Sequence, residues 1–254
     1  MVQICALASG SNGNCYYVGN GYEAVLIDAG ISNRQLKQRL KDTGLSVEKI
    51  RAVFITHEHT DHIRGMRSII EKNNIPGFAT RKTYQNVPVN YRSEKVNYIS
   101  AGDTFQVGSI KIHAFDKQHD AAEPVSFRIE IDGLHVAVLT DLGKACQTVK
   151  EQLSMCHAAF LECNYDASLL QTGSYPAYLK KRVSSDFGHL SNHQAFELVR
   201  SLTGSPLNTL FLSHISAENN RVELAMDVFK PIEKTHRVEP TSRFGASKVI
   251  ELSL

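Results

Sequence analysis

Three imidazoles and the carboxylate of Asp61 fall within six residues at His57-x-His59-x-Asp61-His62. Imidazole nitrogen and carboxylate oxygen without sulfur suit zinc, manganese, iron or cobalt better than a cysteine-built structural zinc site. His57 and His59, one residue apart in an extended loop, can converge on one cation. Asp61 and His62, turned the other way as a helix begins, can reach a second cation beside it. His119 and His214 would then complete one site each, with Asp141 bridging the pair. Two divalent cations about 3.5–4 Å apart would hold a bridging hydroxide and clamp the attacking and leaving oxygens of a displacement. Without a metal, clustered imidazoles repel one another when protonated and gain nothing by packing. His113, His135, His157, His193 and His236 lack acidic neighbours in sequence and are read as structural or solvated.

The elements that must position these residues are short apolar runs, each ending in a polar group. Val25-Leu26-Ile27 ends at Asp28, Phe54-Ile55-Thr56 at His57, and Val138-Leu139-Thr140 at Asp141. Phe160-Leu161 ends at Glu162, Phe211-Leu212-Ser213 at His214, and the run from Ile112 to Phe115 leads on to His119. In open α/β sheets, ligand-binding groups gather beyond the carboxyl ends of the strands, so one polar cleft is expected. Helix starts are read at the capping boxes Ser32-Asn33-Arg34-Gln35 and Ser191-Asn192-His193-Gln194, with Asn220-Arg221-Val222-Glu223 imitating them. Between residues 90 and 140, close-set strand patterns with turns at Gly102-Asp103 and Asp132-Gly133 predict an antiparallel stretch. Together these predict one layered α/β domain over residues 1–254, with mixed sheets.

Composition narrows the setting. The 254 residues carry 28 Lys plus Arg against 26 Asp plus Glu, a formal net charge of +2, so polyanion binding would need a local patch. Five scattered cysteines without a C-x-x-C pair argue for buried free thiols rather than disulfides or a thiolate metal site. No window approaches the roughly 18 apolar residues that cross a bilayer, and the first residues lack a basic leader. A soluble cytoplasmic protein, with no membrane partner, is expected.

Thr56-His57-Glu58-His59-Thr60-Asp61-His62 resembles the HxHxDH signature of the metallo-β-lactamase-fold hydrolases, with Asp28, His119, Asp141 and His214 following that family's other motifs in order. The resemblance implies a four-layer αββα sandwich of two mixed sheets with a dinuclear site at one sheet edge. It assigns His57, His59 and His119 to one cation, Asp61, His62 and His214 to the other, and Asp141 to both. Asp28 and Glu162 are expected behind the ligands, orienting them. The segments Asp186–Ala195 and Leu212–Ser216 resemble the phosphodiesterase members. Ser9–Cys15, His119–Val125 and Glu218-Asn219-Asn220 are most similar to the YycJ/WalJ group, which implies a 5′→3′ exonuclease on duplex DNA ends with a place in DNA repair.

Asp61 and His189 are expected to carry catalysis. His189 precedes the Ser191 helix start, where free N–H groups favour an anion, and it can protonate a leaving oxygen. Ser9, Ser11 and Asn12 are candidate substrate contacts. So are Lys180, Lys181 and Arg182, with Tyr175 and Tyr178 available to stack on a base. Arg64 and Arg67, one turn apart after the metal motif, can be read as phosphate contacts or as surface charge. Two rivals stand beside the exonuclease: a phosphodiesterase for small molecules such as cyclic nucleotides, and a metal-bound nucleic-acid-binding scaffold without turnover.

Overall fold

Strands buried on both faces send alternate residues into different cores, and the computed structural model describes all residues 1–254. Strands β1 (Val2–Ala8), β2 (Cys15–Gly19), β3 (Ala24–Ile27), β4 (Ile50–Phe54), β5 (Gly77–Thr80) and β6 (Val96–Ile99) lie side by side in one sheet. The other sheet holds β7 (Thr104–Val107), β8 (Ile110–Asp116), β9 (Val125–Ile131), β10 (Leu134–Leu139), β11 (Ala158–Glu162), β12 (Thr209–Ser213) and β13 (Arg237–Pro240). The last strand, β14 (Ile250–Leu252), returns to flank β1. Val2, Ile4, Val25, Ile27 and Phe54 of the first sheet meet Ile112, Phe127, Val136, Phe160 and Phe211 of the second in the central core.

The alternate residues face outward and are covered by helices. Leu7, Leu26 and Val53 pack under α1 (Asn33–Asp42) and a third helix (Met66–Asn73), which follows the short α2 (Thr60–Ile63) and is labelled α3. Leu139, Leu161 and Leu212 pack under further helices. After α4 (Arg81–Asn86), these include α5 (Gln147–Ser154) and, beyond α6 (Ala167–Thr172) and α7 (Ala177–Val183), α8 (Asn192–Arg200) and α9 (Val222–Phe229). The layers are therefore helix, sheet, sheet, helix, and the expected α/β sandwich of two mixed sheets is observed.

Pairing directions explain why one rim collects the polar residues. β3 and β4 run parallel, and β10, β11 and β12 run parallel. β8 and β10 are both antiparallel to β9, so they share a direction with each other. The Val125 N–H donates to the Thr56 carbonyl at 3.0 Å, joining the two sheets beside the His57 segment. Asp132 and Gly133, both with positive φ, make the expected tight turn between β9 and β10.

The Ser32 and Ser191 capping boxes form as expected, and α1 buries Leu36 and Leu40. Asn220 departs from its expected role. The residue before α9 is Arg221 without a side-chain cap, while Asn220 exchanges amide hydrogen bonds with Asn192 and donates to the Cys163 and Asn164 carbonyls. Glycine is required at position 30, where a Cβ would lie 1.6 Å from the Asp61 carbonyl oxygen.

Phe160 is fully buried, stacked on Phe211 at 4.8 Å and tilted against Tyr16 at 5.0 Å. Phe160→Ala should destabilise the chain by about 3–5 kcal/mol through lost burial and a residual cavity. Denaturant unfolding measures this, and a loss near zero would place the ring outside a packed core.

Candidate metal centre

The site begins with backbone geometry. Asp28 and His214 follow β3 and β12 directly, Asp141 comes one residue after the end of β10, and the three have φ of 64°, 53° and 55° in that order. This left-handed conformation is costly for residues other than glycine. The chain turns sharply at those three points, and the surrounding hydrogen bonds hold it there. Asp28 N–H donates to the Phe54 carbonyl, Asp141 N–H to Glu162 Oε1, and His214 N–H to Ser9 Oγ at 2.7 Å.

The nitrogens of His57, His59 and His119 converge on one point. His57 Nε2 lies 3.0 Å from His59 Nδ1, which lies 3.3 Å from His119 Nε2. Asp61, His62 and His214 converge on a second point, with His62 Nε2 and His214 Nε2 at 3.5 and 3.7 Å from Asp61 Oδ2. Asp141 touches both sets, at 3.1 Å from His62 Nε2 and 3.8 Å from His119 Nε2. All seven expected ligand residues are thus brought together.

The outer nitrogens of His57, His62, His119 and His214 are held, whereas His59 turns its Nδ1 inward. Asp28 Oδ2 accepts from His62 Nδ1 at 2.7 Å, while its carboxylate also takes the Thr56 N–H and hydroxyl. The Gly188 carbonyl accepts from His119 Nδ1 at 3.1 Å, and Thr56 Oγ1 contacts His57 Nδ1 at 2.9 Å. Glu162, fully buried, accepts from His214 Nδ1 and His189 Nδ1, each at 2.9 Å, and from the N–H groups of Asp141, Leu142 and Leu190. A proton fixed on Nδ1 leaves Nε2 as the inward donor atom, the arrangement typical of metal-bound imidazole.

Two buried atoms aimed into this space lack any hydrogen-bond partner: His214 Nε2 and Asp141 Oδ2. With its Nδ1 proton given to Asp28, a neutral His62 presents its Nε2 lone pair to Asp141 Oδ2. Such pairs require either a second proton on each ring or a cation between them. The donor set therefore fits a divalent metal.

The electrostatics divide along the same line. Burial, the largest influence, holds His57 and His59 below the usual imidazole range and takes His119 down to about 3. Burial opposes charge on His62 and His214 too, but Asp141, with Asp28 and Asp61, outweighs it and pushes His62 up. Asp141, Asp61 and Glu162 push His214 up to about 10. Burial alone would raise Glu162, yet His189 and His214 bring it down to about 2.

Other expected contacts fall differently. Around the start of α8, the Leu190 N–H donates to Glu162, the Asn192 N–H to the Tyr165 carbonyl and the Gln194 N–H to Ser191 Oγ. The carboxylate next to that helix start is the protein's own Glu162, which accepts the Leu190 N–H. His189 stands beside it, half-buried, its ring 5.4 Å from that of His119 and 5.3 Å from that of His214.

Ser9 is buried, and its hydroxyl is spent on Tyr16 and the His214 N–H, so that hydroxyl braces His214. Asn12 donates to the Arg243 carbonyl, and Ser11 is exposed. Lys180 donates to the Gln171 carbonyl and Arg182 pairs with Asp120 at 2.5 Å; Tyr175 packs against a small apolar cluster, leaving Lys181 and Tyr178 open. Arg67 pairs with Glu71 on the surface, whereas Arg64 reaches the Asn12 carbonyl at 3.4 Å. His113 does have acidic company, Glu130 on the next strand at 3.4 Å, but stands outside the convergent sets. Of the cysteines, Cys5, Cys15, Cys156 and Cys163 are buried and all five are free; burial pushes Cys5 up to about 11 and Cys156 up to about 12.

Two residues were not foreseen. Asn14 Nδ2 lies 3.1 Å from Asp61 Oδ2 and 3.0 Å from His62 Nε2, held by its Oδ1 accepting from Gly10 N–H and the Tyr16 hydroxyl. The buried Lys117 donates to the Thr140 carbonyl at 2.9 Å behind Asp141. The glycine-bounded stretch from Ser9 to Cys15 was a signal for Asn14; a lone lysine in a strand extension gave none.

The family described as the Beta-lactamase superfamily domain matches residues 23–215. The chain is 32% identical over 250 residues to "Exodeoxyribonuclease YycJ" of Bacillus anthracis, covering 97% of this chain and 92% of the relative. It is 34% identical over 224 residues to "Exodeoxyribonuclease WalJ" of Streptococcus pneumoniae, covering 86% and 83%. Among solved structures, the metallo-β-lactamase fold protein YhfI of Bacillus subtilis superposes with a TM-score of 0.72 at 15% identity, covering 99% of this chain and all of that one.

Asp28→Asn keeps the backbone turn but weakens the grip on His62, and should lower zinc or manganese affinity about 10–100-fold. Chelator competition on the purified protein measures this; wild-type affinity would show that Asp28 does not orient the ring. Because His214 keeps a second proton up to about pH 10 when no cation is bound, a cation must displace protons to reach Nε2 at pH 7. Titration calorimetry in buffers of different ionisation heat should record proton release, and affinity should rise with pH. A buffer-independent heat would contradict the ligation described.

Proposed function

The chain belongs to the β-lactamase superfamily, and from that membership we propose that it is a dinuclear metal-dependent phosphodiesterase, a 5′→3′ exonuclease on duplex DNA ends, with residues 1–254 acting as one hydrolase unit. The observation that carries the dinuclear reading is the reach of Asp141, one carboxylate in contact with both convergent donor sets. The exodeoxyribonuclease names of the two curated relatives support a DNA substrate. A cytoplasmic setting in DNA repair accords with the five free thiols, which persist where disulfides are reduced.

When bound, two zinc, manganese or iron ions would supply Lewis-acid stabilisation of the phosphoryl oxygens and an ionised water at neutral pH. His57, His59 and His119 hold one side of the cleft, Asp61, His62 and His214 the other, and Asp141 spans them. Asn14 fixes Asp61 through Oδ2, so the carboxylate orients the attacking water instead of swinging away. Attack at phosphorus breaks the bond to the leaving oxygen, which needs a proton. His189 supplies it from Nε2 by acting as the imidazolium, because its Nδ1–H is committed to Glu162 and stays there as the Nε2 proton leaves. Its place between the His119 and His214 rings sets it at the rim where the strand must depart.

Manganese-loaded protein should shorten 5′-labelled duplex DNA from its end, with a rate that falls steeply as salt rises. His189→Asn should cut kcat by about 10²- to 10⁴-fold, the usual share of a general acid, while metal content stays unchanged. Asp61→Asn should lose both activity and metal. Cleavage confined to cyclic nucleotides, indifferent to salt, would replace the exonuclease with the small-molecule reading; tight DNA binding without cleavage would favour a scaffold.

A further inference from the structure

Next to His214 the surface opens into a cavity of about 520 Å³ between the loop after β12 and residues 240–244. Ser9, Ser216, Arg221, Arg243 and Phe244 line it, and no carboxylate does. Its floor is one step from the metal centre, since Ser9 Oγ accepts the His214 N–H. Phe244 is 85% exposed, and the Arg243 guanidinium carbon lies 5.9 Å from its ring centre. Neither Arg221 nor Arg243 has a carboxylate partner among the ion pairs of the chain.

The backbone here is anchored while the side chains are free. Asn12 Nδ2 donates to the Arg243 carbonyl at 3.0 Å, Arg39 Nη2 to the Phe244 carbonyl at 3.3 Å, and Phe244 N–H to Ser242 Oγ at 3.1 Å. An exposed aromatic ring on an anchored backbone at a cavity mouth, flanked by guanidinium groups without a carboxylate partner, matches a nucleotide: a flat base for the ring and an anion for the arginines. A single exposed phenylalanine would mean little alone. The acid-free cavity and its junction with the metal centre are what give it a role.

We propose that this cavity is the subsite for the nucleotide joined to the scissile phosphate, with Phe244 stacking on the base and Arg243 and Arg221 holding the phosphate next along the strand. The assignment rests on the phosphodiesterase reading of the metal centre. It places strand recognition on the segment 240–244, not on the Lys180–Arg182 patch, whose Lys180 and Arg182 are tied to protein groups.

Binding of dAMP and of deoxyribose 5-phosphate to the full-length manganese-loaded protein separates the base from the phosphate. Wild type should prefer dAMP, and Phe244→Ala should remove about 5- to 100-fold of that preference, the range for one stacked base. Phe244→Tyr should restore it, and Arg243→Gln should weaken both ligands. Equal affinities in wild type and Phe244→Ala would overturn the subsite. So would a dimer that dissociates on Phe244→Ala with nucleotide affinity unchanged, since that would give the face to a second copy of the chain. A protein that cuts no DNA yet loses its dAMP preference with Phe244 would sink the exonuclease reading and leave the subsite standing.

Discussion

Four carboxylates, Asp28, Asp61, Asp141 and Glu162, meet in one largely buried cleft, and their negative charge cannot stay there uncompensated. The rest of the centre follows from that constraint. Imidazoles stand between the acids, three N–H groups are spent on Glu162, and the lysine behind Asp141 is buried with them. In the absence of a cation, protons on His62 and His214 supply the missing charge. A divalent ion replaces those protons, which makes the cleft a metal centre and not a salt-bridged core.

Much of this was legible in the sequence because strands report where they end. An apolar run of four or five residues closing on Asp, Glu or His placed Asp28, His57, Asp141, Glu162 and His214 at one rim, and the parallel pairings put them there. The H-x-H-x-D-H spacing was readable for a similar reason, as an extended loop entering the short helix α2. What stayed hidden depends on hydrogen-bond partners, which residue order does not encode. Ser9 looked like a substrate contact, yet its hydroxyl is consumed by the His214 backbone. Nothing around Lys117 marks it as buried, and the left-handed turns at Asp28, Asp141 and His214 are invisible in a list of residue types.

The helix start before Asn192 shows how a sound principle can meet a prior claimant. Free N–H groups at such an end do attract anions. Here Glu162 arrives first from the end of β11 and binds Leu190 N–H together with both His189 and His214. The same carboxylate thereby fixes both His189 and His214, joining the two rings through one side chain.

The division of donors between the sheets has a consequence for biosynthesis. His57, His59, Asp61 and His62 follow β4, whereas His119, Asp141 and His214 extend from strands of the later sheet. A ribosome therefore releases the histidine-rich segment long before its counterparts emerge. A complete donor set is thus a property of the finished chain, because each of the two convergent donor sets joins the early segment to His119, Asp141 or His214 of the second layer.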